Sequence, residues 1–304
     1  MNYKEYRNMN YYENIKEELI SNEVYKKIKD YSKNKNDLKT YYNVGKMLSE
    51  AGRHYGEGII KEYSKKLTSE LGKGYSERNL RNMRQFFNLY HKQKWQTLSA
   101  KLSWSHYSEL LSINDINKIN YYIKIIEEQN LSVRELRNKI KNNEYERLDK
   151  KTKEKLKKEE KLQVQDLVKN PIILKTNKEI IKEKALQQLI LEDMSSFLKE
   201  LGNGFSYIDN EYKIKIGNNY NYIDLLLFNY IYNCFIVIEL KITELKKEHI
   251  GQIETYMNYI DKNLKTINQD KTIGIIITKK DNKFIMEYCS DKRILNTTYE
   301  LQEV

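Results

Sequence analysis

Three charged residues, Asp224, Glu239 and Lys241, lie within the otherwise apolar stretch YIDLLLFNYIYNCFIVIELKI, residues 222–242. A carboxylate or an ammonium among apolar side chains is costly unless another group compensates its charge. Side chains alternate between the two faces of a strand, so Glu239 and Lys241 point to the same side. A short turn near residues 229–233 would fold the stretch into a hairpin and make Asp224 and Glu239 neighbours.

Two neighbouring carboxylates repel each other unless a cation lies between them, and Mg²⁺ is a hard cation that takes oxygen ligands. Asp224 and Glu239 are therefore candidate ligands of Mg²⁺ or Mn²⁺, and the backbone carbonyl of Leu240 could supply a third oxygen. Lys241 could orient or activate a water molecule and offset charge on an attacked phosphate. This combination suits phosphodiester hydrolysis. The simpler alternative is a buried Glu–Lys ion pair, with Asp224 as a turn or cap residue.

A helix is predicted directly after this strand, in ELKKEHIGQIETYMNYID. Gln252 and Tyr256 are four residues apart on it and share a face. This polar pair could lean over the site and touch a substrate phosphate, or it could line a solvated edge of the helix.

The second half of the chain alternates between helical and strand patterns, in the order α-β-β-β-α-β-β. A long amphipathic helix, NKEIIKEKALQQLILEDMSSFLKELGNG, precedes three strand-like runs. The last two strands are predicted in KTIGIIIT and KFIMEYC, around a KKDNK turn. The continuously apolar CFIVIE suits a central strand covered on both faces. We therefore predict an α/β domain at residues 171–304, preceded by a charged linker or helix at 149–170.

Residues 1–148 are predicted to form a helical domain. A glycine-containing turn leads into YSERNLRNMRQFFNLYHKQ, where Ser76 is a candidate N-cap. The predicted apolar stripe of this helix consists of Leu80, Met83, Phe87 and Tyr90. Three arginines lie off that stripe: Arg78, Arg81 and Arg84. The pattern is compatible with a DNA-binding helix-turn-helix or winged-helix module, or with an ordinary solvated basic face.

The chain carries a net charge of +11 and has a pI of about 9.2. Such a charge favours a polyanionic partner, DNA first and an acidic membrane surface second, although solubility alone could explain it. Some of the 26 tyrosines could stack on bases. The sequence shows neither a secretory signal nor 18 uninterrupted apolar residues, so we expect a cytoplasmic protein with no membrane span.

The order Asp, then Glu-x-Lys across a hairpin, then Gln-x-x-x-Tyr on the next helix resembles the PD-(D/E)XK nuclease superfamily. The last element is similar to that of the RecB-like branch. The chain resembles still more closely the YhcG family, bacterial proteins that join a helical N-terminal domain to a C-terminal nuclease domain. In the second half the resemblance is carried by FLKELGNGFSYI, YIDLLLFN, VIELKITELKKEHIGQIETYMNYID and TIGIIITKKDNKFIMEYC. In the first half it is carried by GYSERNLRNMRQFFNLY, LSWSHYSELL, LSVRELRNKI and YERL.

The resemblance implies an α+β multidomain protein. Its C-terminal domain would be restriction-endonuclease-like, with the order αβββαβ and a mixed sheet, and its N-terminal domain would be helical. From the capped basic helix described above, we expect that all-α domain to be helix-turn-helix-like or winged-helix-like. The resemblance also implies Mg²⁺ or Mn²⁺ and a DNA substrate. In the resemblance, Asp224 and Glu239 would be metal ligands and Lys241 the catalytic lysine. Gln252 and Tyr256 would be auxiliary site residues, and we group Gln252 with the catalytic residues. By analogy we expect DNA, a homodimer and a restriction or other defence-system protein as partners.

The chain departs from the family pattern in the first helix of the nuclease domain. The acid that the superfamily usually carries there falls on Gln187, in Leu186-Gln187. Glu183, one turn earlier on the same face, could substitute for it, and Glu192 is a second candidate on a different face. In the first strand, Glu211 stands where the family has Gln. Because this helix acid is missing, the chain could bind a second metal ion more weakly than the family does.

Three functional hypotheses follow. The first is a metal-dependent DNA endonuclease, a deoxyribonuclease targeted by its helical domain and acting in restriction, repair or defence against mobile elements and phage. The second is a catalytically weak or inactive DNA-binding or assembly module built on a decayed nuclease fold. The third is a helical protein–protein adaptor. The intact charged residues favour the first, and the missing helix acid favours the second.

Overall fold

The computed structural model describes residues 10–26, 32–56, 58–91, 99, 101–177, 179–180 and 182–303. The chain divides into two compact units, Met1–Ile140 and Lys141–Val304. Among the described residues, no helix combines the length and the apolar character that crossing a membrane requires.

The described part of the N-terminal unit is built from helices, as the sequence predicts, and contains no strand that could serve as the wing of a winged helix. Its helices are α1 (Tyr11–Lys26), α2 (Ser32–Tyr55), α3 (Ile59–Leu71), α4 (Glu77–Tyr90), α5 (Trp104–Leu110), α6 (Ile116–Gln129) and α7 (Val133–Lys141). A short 3₁₀ turn, Lys73–Tyr75, joins α3 to α4.

Helix α4 begins as predicted, because the Ser76 hydroxyl accepts a hydrogen bond from the Asn79 N–H at 3.3 Å. Its buried residues are Leu80, Met83, Phe86 and Tyr90. The predicted stripe was therefore wrong at one position, since it contained Phe87 in place of Phe86. The buried face is centred on Met83 and Tyr90, which brings Phe86 fully inward and leaves Phe87 half-buried at its edge.

Helices α2 and α4 approach each other closely at Gly45. A Cβ atom at this position would lie 2.1 Å from the backbone carbonyl oxygen of Met83. Only glycine leaves room for that approach, so Gly45 fixes how near α4 lies to α2.

The C-terminal unit is built around a mixed sheet of six strands in the order β1-β6-β5-β4-β3-β2. Strands β2, β3 and β4 are antiparallel neighbours, and β4, β5, β6 and β1 are parallel neighbours. The strands are β1 (Ile172–Lys175), β2 (Phe205–Ile216), β3 (Asn219–Asn229), β4 (Cys234–Glu244), β5 (Asp270–Lys280) and β6 (Ile294–Gln302). The helices are α8 (Lys150–Lys157), α9 (Glu183–Glu192), α10 (Met194–Leu201), α11 (Lys247–Asn263) and α12 (Lys283–Glu287). The mixed sheet and the αβββαβ order of its central elements confirm the predicted fold class.

The secondary structure of this unit differs from the prediction in three places. The segment KFIMEYC was predicted as a strand, but it forms the short helix α12, and the last strand is β6 instead. Strand β1 was not predicted. The long helix breaks at Asp193, whose carboxylate accepts a hydrogen bond from the Ser196 N–H and so caps a separate helix, α10.

The lysine-rich segment at 149–170 contains α8 and a 3₁₀ turn, Val164–Leu167. Within it the Lys155 ammonium contacts the Asp166 carboxylate at 2.7 Å. Just before it, Arg147 forms a largely buried ion pair with Glu200 on α10, and its guanidinium donates to the Pro171 carbonyl at 2.7 Å. The Arg147 contacts hold the chain just before the segment against α10 of the same unit.

Apolar side chains cover both faces of the sheet. One core lies between the sheet and α9 and α10, and a second lies between the sheet and α11. Helix α11 packs closely on β5, because a Cβ atom at Gly274 would come within 2.5 Å of the Met257 sulfur. This close packing positions α11 beside the carboxyl end of β4.

Candidate active site

Asp224 and Glu239 lie opposite each other on neighbouring strands. In the antiparallel pair β3–β4, Leu225 pairs with Ile238, so one further step along each strand brings Asp224 to Glu239. The Leu240 N–H donates a hydrogen bond to Asp224 Oδ2 at 2.7 Å. The Asp224 side chain thus bridges to β4 at the point where the backbone ladder between the two strands ends.

Glu239 is almost completely buried, with 1 % of its surface exposed. Its Oε1 has no hydrogen-bond partner among the residues that the structure describes. Burial first, and the nearby Asp224 carboxylate second, raise the pKa of Glu239 to about 8 against the opposing effect of Lys241. The pKa of Asp224 is also raised, chiefly by burial, against the opposing effect of the Leu240 N–H.

The Lys241 ammonium lies between two carboxylates. Its Nζ is 3.4 Å from Glu239 Oε2 and 3.5 Å from Glu183 Oε2. Burial lowers the pKa of Lys241, but the charges of Glu239, Asp224 and Glu183 raise it more strongly, so its net pKa lies above the ordinary value. Lys241 therefore carries its positive charge at neutral pH, and it points into the site rather than into the apolar core.

Helix α9 contributes two residues from successive turns. Glu183 begins the helix and reaches Lys241, while its side chain remains 46 % exposed. Gln187 is buried, and its Nε2 donates a hydrogen bond to the Asp224 backbone carbonyl at 3.0 Å. This amide holds the strand that carries Asp224, a role that the sequence did not reveal. The sequence did indicate its position, four residues after Glu183 on the same face and at the place of the superfamily's helix acid.

The other two acidic candidates differ in their distance from the site. Glu192 ends α9, nine residues after Glu183, which puts it about 13 Å along the helix and away from Lys241. Glu211 lies at an irregular point of β2, with a backbone φ of 49°, and its charge raises the pKa of Asp224. The structure thus brings Glu183 to the site, places Glu211 near it and leaves Glu192 apart.

Gln252 and Tyr256 lie one turn apart on α11. The Gln252 amide donates a hydrogen bond to the Tyr256 hydroxyl oxygen at 3.0 Å. Burial raises the pKa of Tyr256, the Gln252 contact lowers it, and the charges of Glu239 and Asp224 raise it. The two predicted residues are therefore hydrogen-bonded to each other, and the charges of both carboxylates act on the Tyr256 hydroxyl.

The residues of the site fit one divalent cation. Within the described part of the chain, no three His, Cys, Asp or Glu side chains come together as a metal cluster. The available protein donors are two carboxylates and a backbone carbonyl, all oxygen, which suits Mg²⁺ or Mn²⁺ with water or phosphate as further ligands. The unsatisfied Glu239 Oε1 supports this fit, because a buried carboxylate oxygen without a partner is costly.

The predicted DNA-binding arginines lie on α4 of the N-terminal unit. Arg78 is exposed and Arg84 is half-buried. Arg81 forms an ion pair with Glu77, one turn earlier, at 2.7 Å. The pairing offsets part of the positive charge that Arg81 would offer to a phosphate.

Comparison with protein families gives a match for each half of the chain. Residues 165–303 match the YhcG PDDEXK nuclease domain, and residues 10–147 match the DUF1016 N-terminal domain. The chain is similar to the Escherichia coli (strain K12) protein "Putative nuclease YhcG". The two are 26 % identical over 282 residues, which cover 78 % of this chain and 75 % of the relative.

Among solved structures, the chain is similar to a repair endonuclease from Pyrococcus abyssi. The TM-score is 0.29 and the identity 16 %, over 40 % of this chain and 49 % of that one. It is also similar to EndoMS in a complex with double-stranded DNA, with a TM-score of 0.28 and 18 % identity, over 42 % of this chain and 48 % of that one. The match spans about half the length of each of these solved chains.

Proposed function

We propose that this chain, which joins a DUF1016 N-terminal domain to a YhcG PDDEXK nuclease domain, is a divalent-metal-dependent endonuclease that hydrolyses phosphodiester bonds in DNA. The observation that carries the proposal is the buried carboxylate pair. Asp224 and Glu239 meet across two strands, and Lys241 points into the same site. One oxygen of Glu239 lacks a hydrogen-bond partner within the described part of the chain.

In this proposal, Asp224, Glu239 and the Leu240 carbonyl hold the cation. PDDEXK nucleases generally use divalent metals, and we propose Mg²⁺ or Mn²⁺ for this chain because all the donors are oxygen atoms. A bound divalent cation would lower the pKa of a coordinated water and neutralise charge on the scissile phosphate. Glu239 must lose its proton to act as a ligand, so its raised pKa couples cation binding to proton release.

The Lys241 ammonium would orient the attacking water and stabilise the negative charge that develops on the non-bridging phosphate oxygens. Its contacts with Glu239 and Glu183 keep it charged and limit the directions in which it can point. Gln187 fixes the backbone of Asp224, and the Gln252–Tyr256 pair offers polar groups on the α11 side. Each of these residues therefore positions or neutralises a charge in the site.

A plasmid-cleavage assay tests this function. Supercoiled DNA would be incubated with the wild-type protein, Asp224→Asn and Lys241→Met in Mg²⁺, Mn²⁺ or EDTA. Lys271→Ala, an exposed lysine at the far end of β5, is the control. We expect cleavage by the wild type and the control only with a divalent cation, and a loss of about 100-fold or more in the other two variants. Equal cleavage by all four proteins would overturn the proposal.

We further propose that the N-terminal domain directs the nuclease to DNA through α4. Neutralising one phosphate contact lowers the slope of log affinity against log salt by about 1. Arg78→Ala should show this reduction, and Arg81→Ala a smaller one because Arg81 already pairs with Glu77. Lys124→Ala, which removes the cation of the exposed Lys124–Glu128 pair on α6, is the control. If the salt slopes of both variants match that of the control, Arg78 and Arg81 do not contact DNA phosphates.

A DNA-binding module without cleavage is the second candidate, and one observation favours it. The helix position that usually carries an acid in the superfamily holds Gln187, and its amide is turned to the backbone of Asp224. Wild-type protein that binds DNA and a divalent cation, but cuts no DNA substrate under any salt condition, would support this candidate.

We propose a cytoplasmic setting in DNA restriction, repair or defence. Cys234 and Cys289 are free thiols, which is typical of a reducing compartment. A homodimer, and a defence-system protein that licenses cutting, belong to the same proposal. Sedimentation of the purified protein with and without DNA tests the dimer, and phage plating on cells with and without an Asp224→Asn substitution tests the defence role.

A further inference from the structure

The β2–β3 hairpin separates from β4 next to the candidate site. Strand β4 pairs with β3 only along Leu225–Asn229, whereas the β2–β3 ladder continues to the pair of Ile216 with Asn219. Residues 212–223, here called the hairpin arm, therefore form a two-stranded ribbon that is not paired with β4. The arm begins immediately before Asp224, so it leaves the sheet at the edge of the candidate site.

The two faces of the hairpin arm differ sharply. Ile214 and Ile223 are buried on one face. The other face carries two cross-strand pairs, Lys213 with Tyr222 and Lys215 with Tyr220. All four of these residues are exposed, and the two tyrosines retain 52 % and 56 % of their surface. Exposed aromatic rings in such a row mark a contact surface.

The lysines and tyrosines form one cation–aromatic array. The Lys213 ammonium lies 3.9 Å from the centroid of the Tyr220 ring, and the Lys215 ammonium lies 5.9 Å from it. The arm sequence, YKIKIGNNYNYI, contains no acidic residue, so both positive charges remain uncompensated within it. A polyanion with flat, apolar faces complements such a surface in both charge and shape.

The array lies close to the candidate catalytic carboxylates. Tyr222 precedes Asp224 by two residues along one strand, which separates their Cα atoms by about 7 Å. Tyr220 precedes Asp224 by four residues, a separation of about 13 Å. A nucleic-acid strand whose phosphate sits at Asp224 and Glu239 would therefore pass within reach of the arm.

We infer that the hairpin arm binds unpaired nucleotides of a DNA substrate beside the bond to be cut. Lys213 and Lys215 contact backbone phosphates, and the Tyr220 and Tyr222 rings stack on bases. Stacking requires an exposed base face, which a flap, a frayed end or a single strand offers and an intact duplex interior does not. The inference rests on the proposed function, and it adds that the substrate contains a single-stranded segment at the site.

Binding measured without cleavage tests this inference. Fluorescence polarisation in EDTA would compare a labelled single strand, a duplex with a single-stranded overhang and a blunt duplex. The stacking variant is Tyr220→Ala with Tyr222→Ala, and its conservative partner changes both residues to Phe. The matched control is Tyr230→Ala, which removes an exposed tyrosine at the opposite end of β3. Circular dichroism would verify that each variant is folded.

We expect the double alanine variant to bind the single strand and the overhang about 25-fold more weakly, from about fivefold per lost stack. Binding of the blunt duplex should change less than threefold, and the Phe variant should bind every DNA as wild type does. Lys213→Ala with Lys215→Ala should weaken binding to all three DNAs and lower the salt slope for the single strand by about 1.4.

Affinities of the double alanine variant within twofold of Tyr230→Ala on every DNA would overturn the inference. So would a change of oligomeric state in sedimentation with unchanged DNA binding, because the arm would then be a contact between protein copies. A different result would contradict the proposed nuclease function while leaving the role of the arm intact. The arm variants would lose DNA binding as expected, but wild-type protein would cut no DNA with Mg²⁺ or Mn²⁺.

Discussion

Glu239→Gln should remove a large pH dependence from the stability of the nuclease domain. In the folded, metal-free protein the pKa of Glu239 is about 8, against an ordinary value of 4.5. Between these two pH values the folded chain retains a proton on Glu239 that the unfolded chain has released. The stabilising contribution of the protonated side chain is therefore complete below pH 4.5 and is lost as the pH rises through about 8.

The magnitude follows from the two pKa values. Each pKa unit corresponds to about 1.4 kcal/mol, so ionising Glu239 in the folded state lowers the free energy of unfolding by about 5 kcal/mol in total. Between pH 5 and pH 8 the expected loss is about 3–4 kcal/mol. Glutamine has nearly the same shape and does not titrate. The difference in unfolding free energy between Glu239→Gln and wild type should therefore grow by that amount over this range, in favour of the variant.

Urea unfolding in EDTA, followed by far-ultraviolet circular dichroism, measures this difference. Both tryptophans, Trp95 and Trp104, precede residue 140, so tryptophan fluorescence reports the unfolding of the N-terminal unit separately. Glu244→Gln, which changes an exposed carboxyl on the same strand, is the control. A constant difference between Glu239→Gln and wild type from pH 5 to pH 8 would show that the folded protein does not raise the pKa of Glu239.

Three further predictions concern other parts of the molecule. Lys241→Met should lower DNA cleavage at least about 100-fold while DNA affinity stays within twofold, and an equal fall in both would show a binding role instead. Gln187→Glu should lower the melting temperature of the metal-free protein, because it replaces the amide donor to the Asp224 carbonyl by a carboxylate. It should also raise Mn²⁺ affinity about tenfold by calorimetry, equivalent to about 1.4 kcal/mol, and unchanged affinity would place this helix position outside the metal site. Gly45→Ala should destabilise the N-terminal unit by about 1–3 kcal/mol, as seen by tryptophan fluorescence, through a clash with the backbone of α4; Gly58→Ala, which has open space, should not.

The carboxylate pair could be predicted because its signal is local. Asp224 and Glu239 are polar residues in runs that are otherwise apolar, and strand alternation together with a short turn determines how they meet. The Gln252–Tyr256 contact is similarly local, since residues four apart on a helix are neighbours. In both cases a sequence interval of known geometry was enough to place the side chains.

Contacts between distant elements could not be predicted in the same way. The hydrogen bond from Gln187 to the Asp224 carbonyl spans 37 residues and depends on how α9 packs against the sheet. The Lys241–Glu183 contact depends on the same packing. The sequence identified Glu183 as an acid on the correct face, but only the tertiary structure brings it to the lysine.

Some secondary structure was ambiguous for a physical reason. In KFIMEYC the apolar residues are consecutive, a pattern that does not distinguish a short helix from a strand, and α12 leaves Phe284 largely exposed. Strand β1 has only four residues and is defined by its parallel pairing with β6, at the other end of the domain sequence. On α4, Phe86 and Phe87 are adjacent, and tertiary packing alone selects which of them is buried.

The most direct test of the carboxylate pair as a metal site is anomalous diffraction from crystals grown with Mn²⁺. We predict a Mn²⁺ peak in contact with the side chains of Asp224 and Glu239, with the Leu240 carbonyl as a further ligand and the Lys241 ammonium beside it. The peak should disappear in Glu239→Gln crystals. A protein that cuts DNA with Mn²⁺ but shows its Mn²⁺ peak elsewhere, with these two carboxylates unliganded, would rule out the carboxylate pair as the metal site.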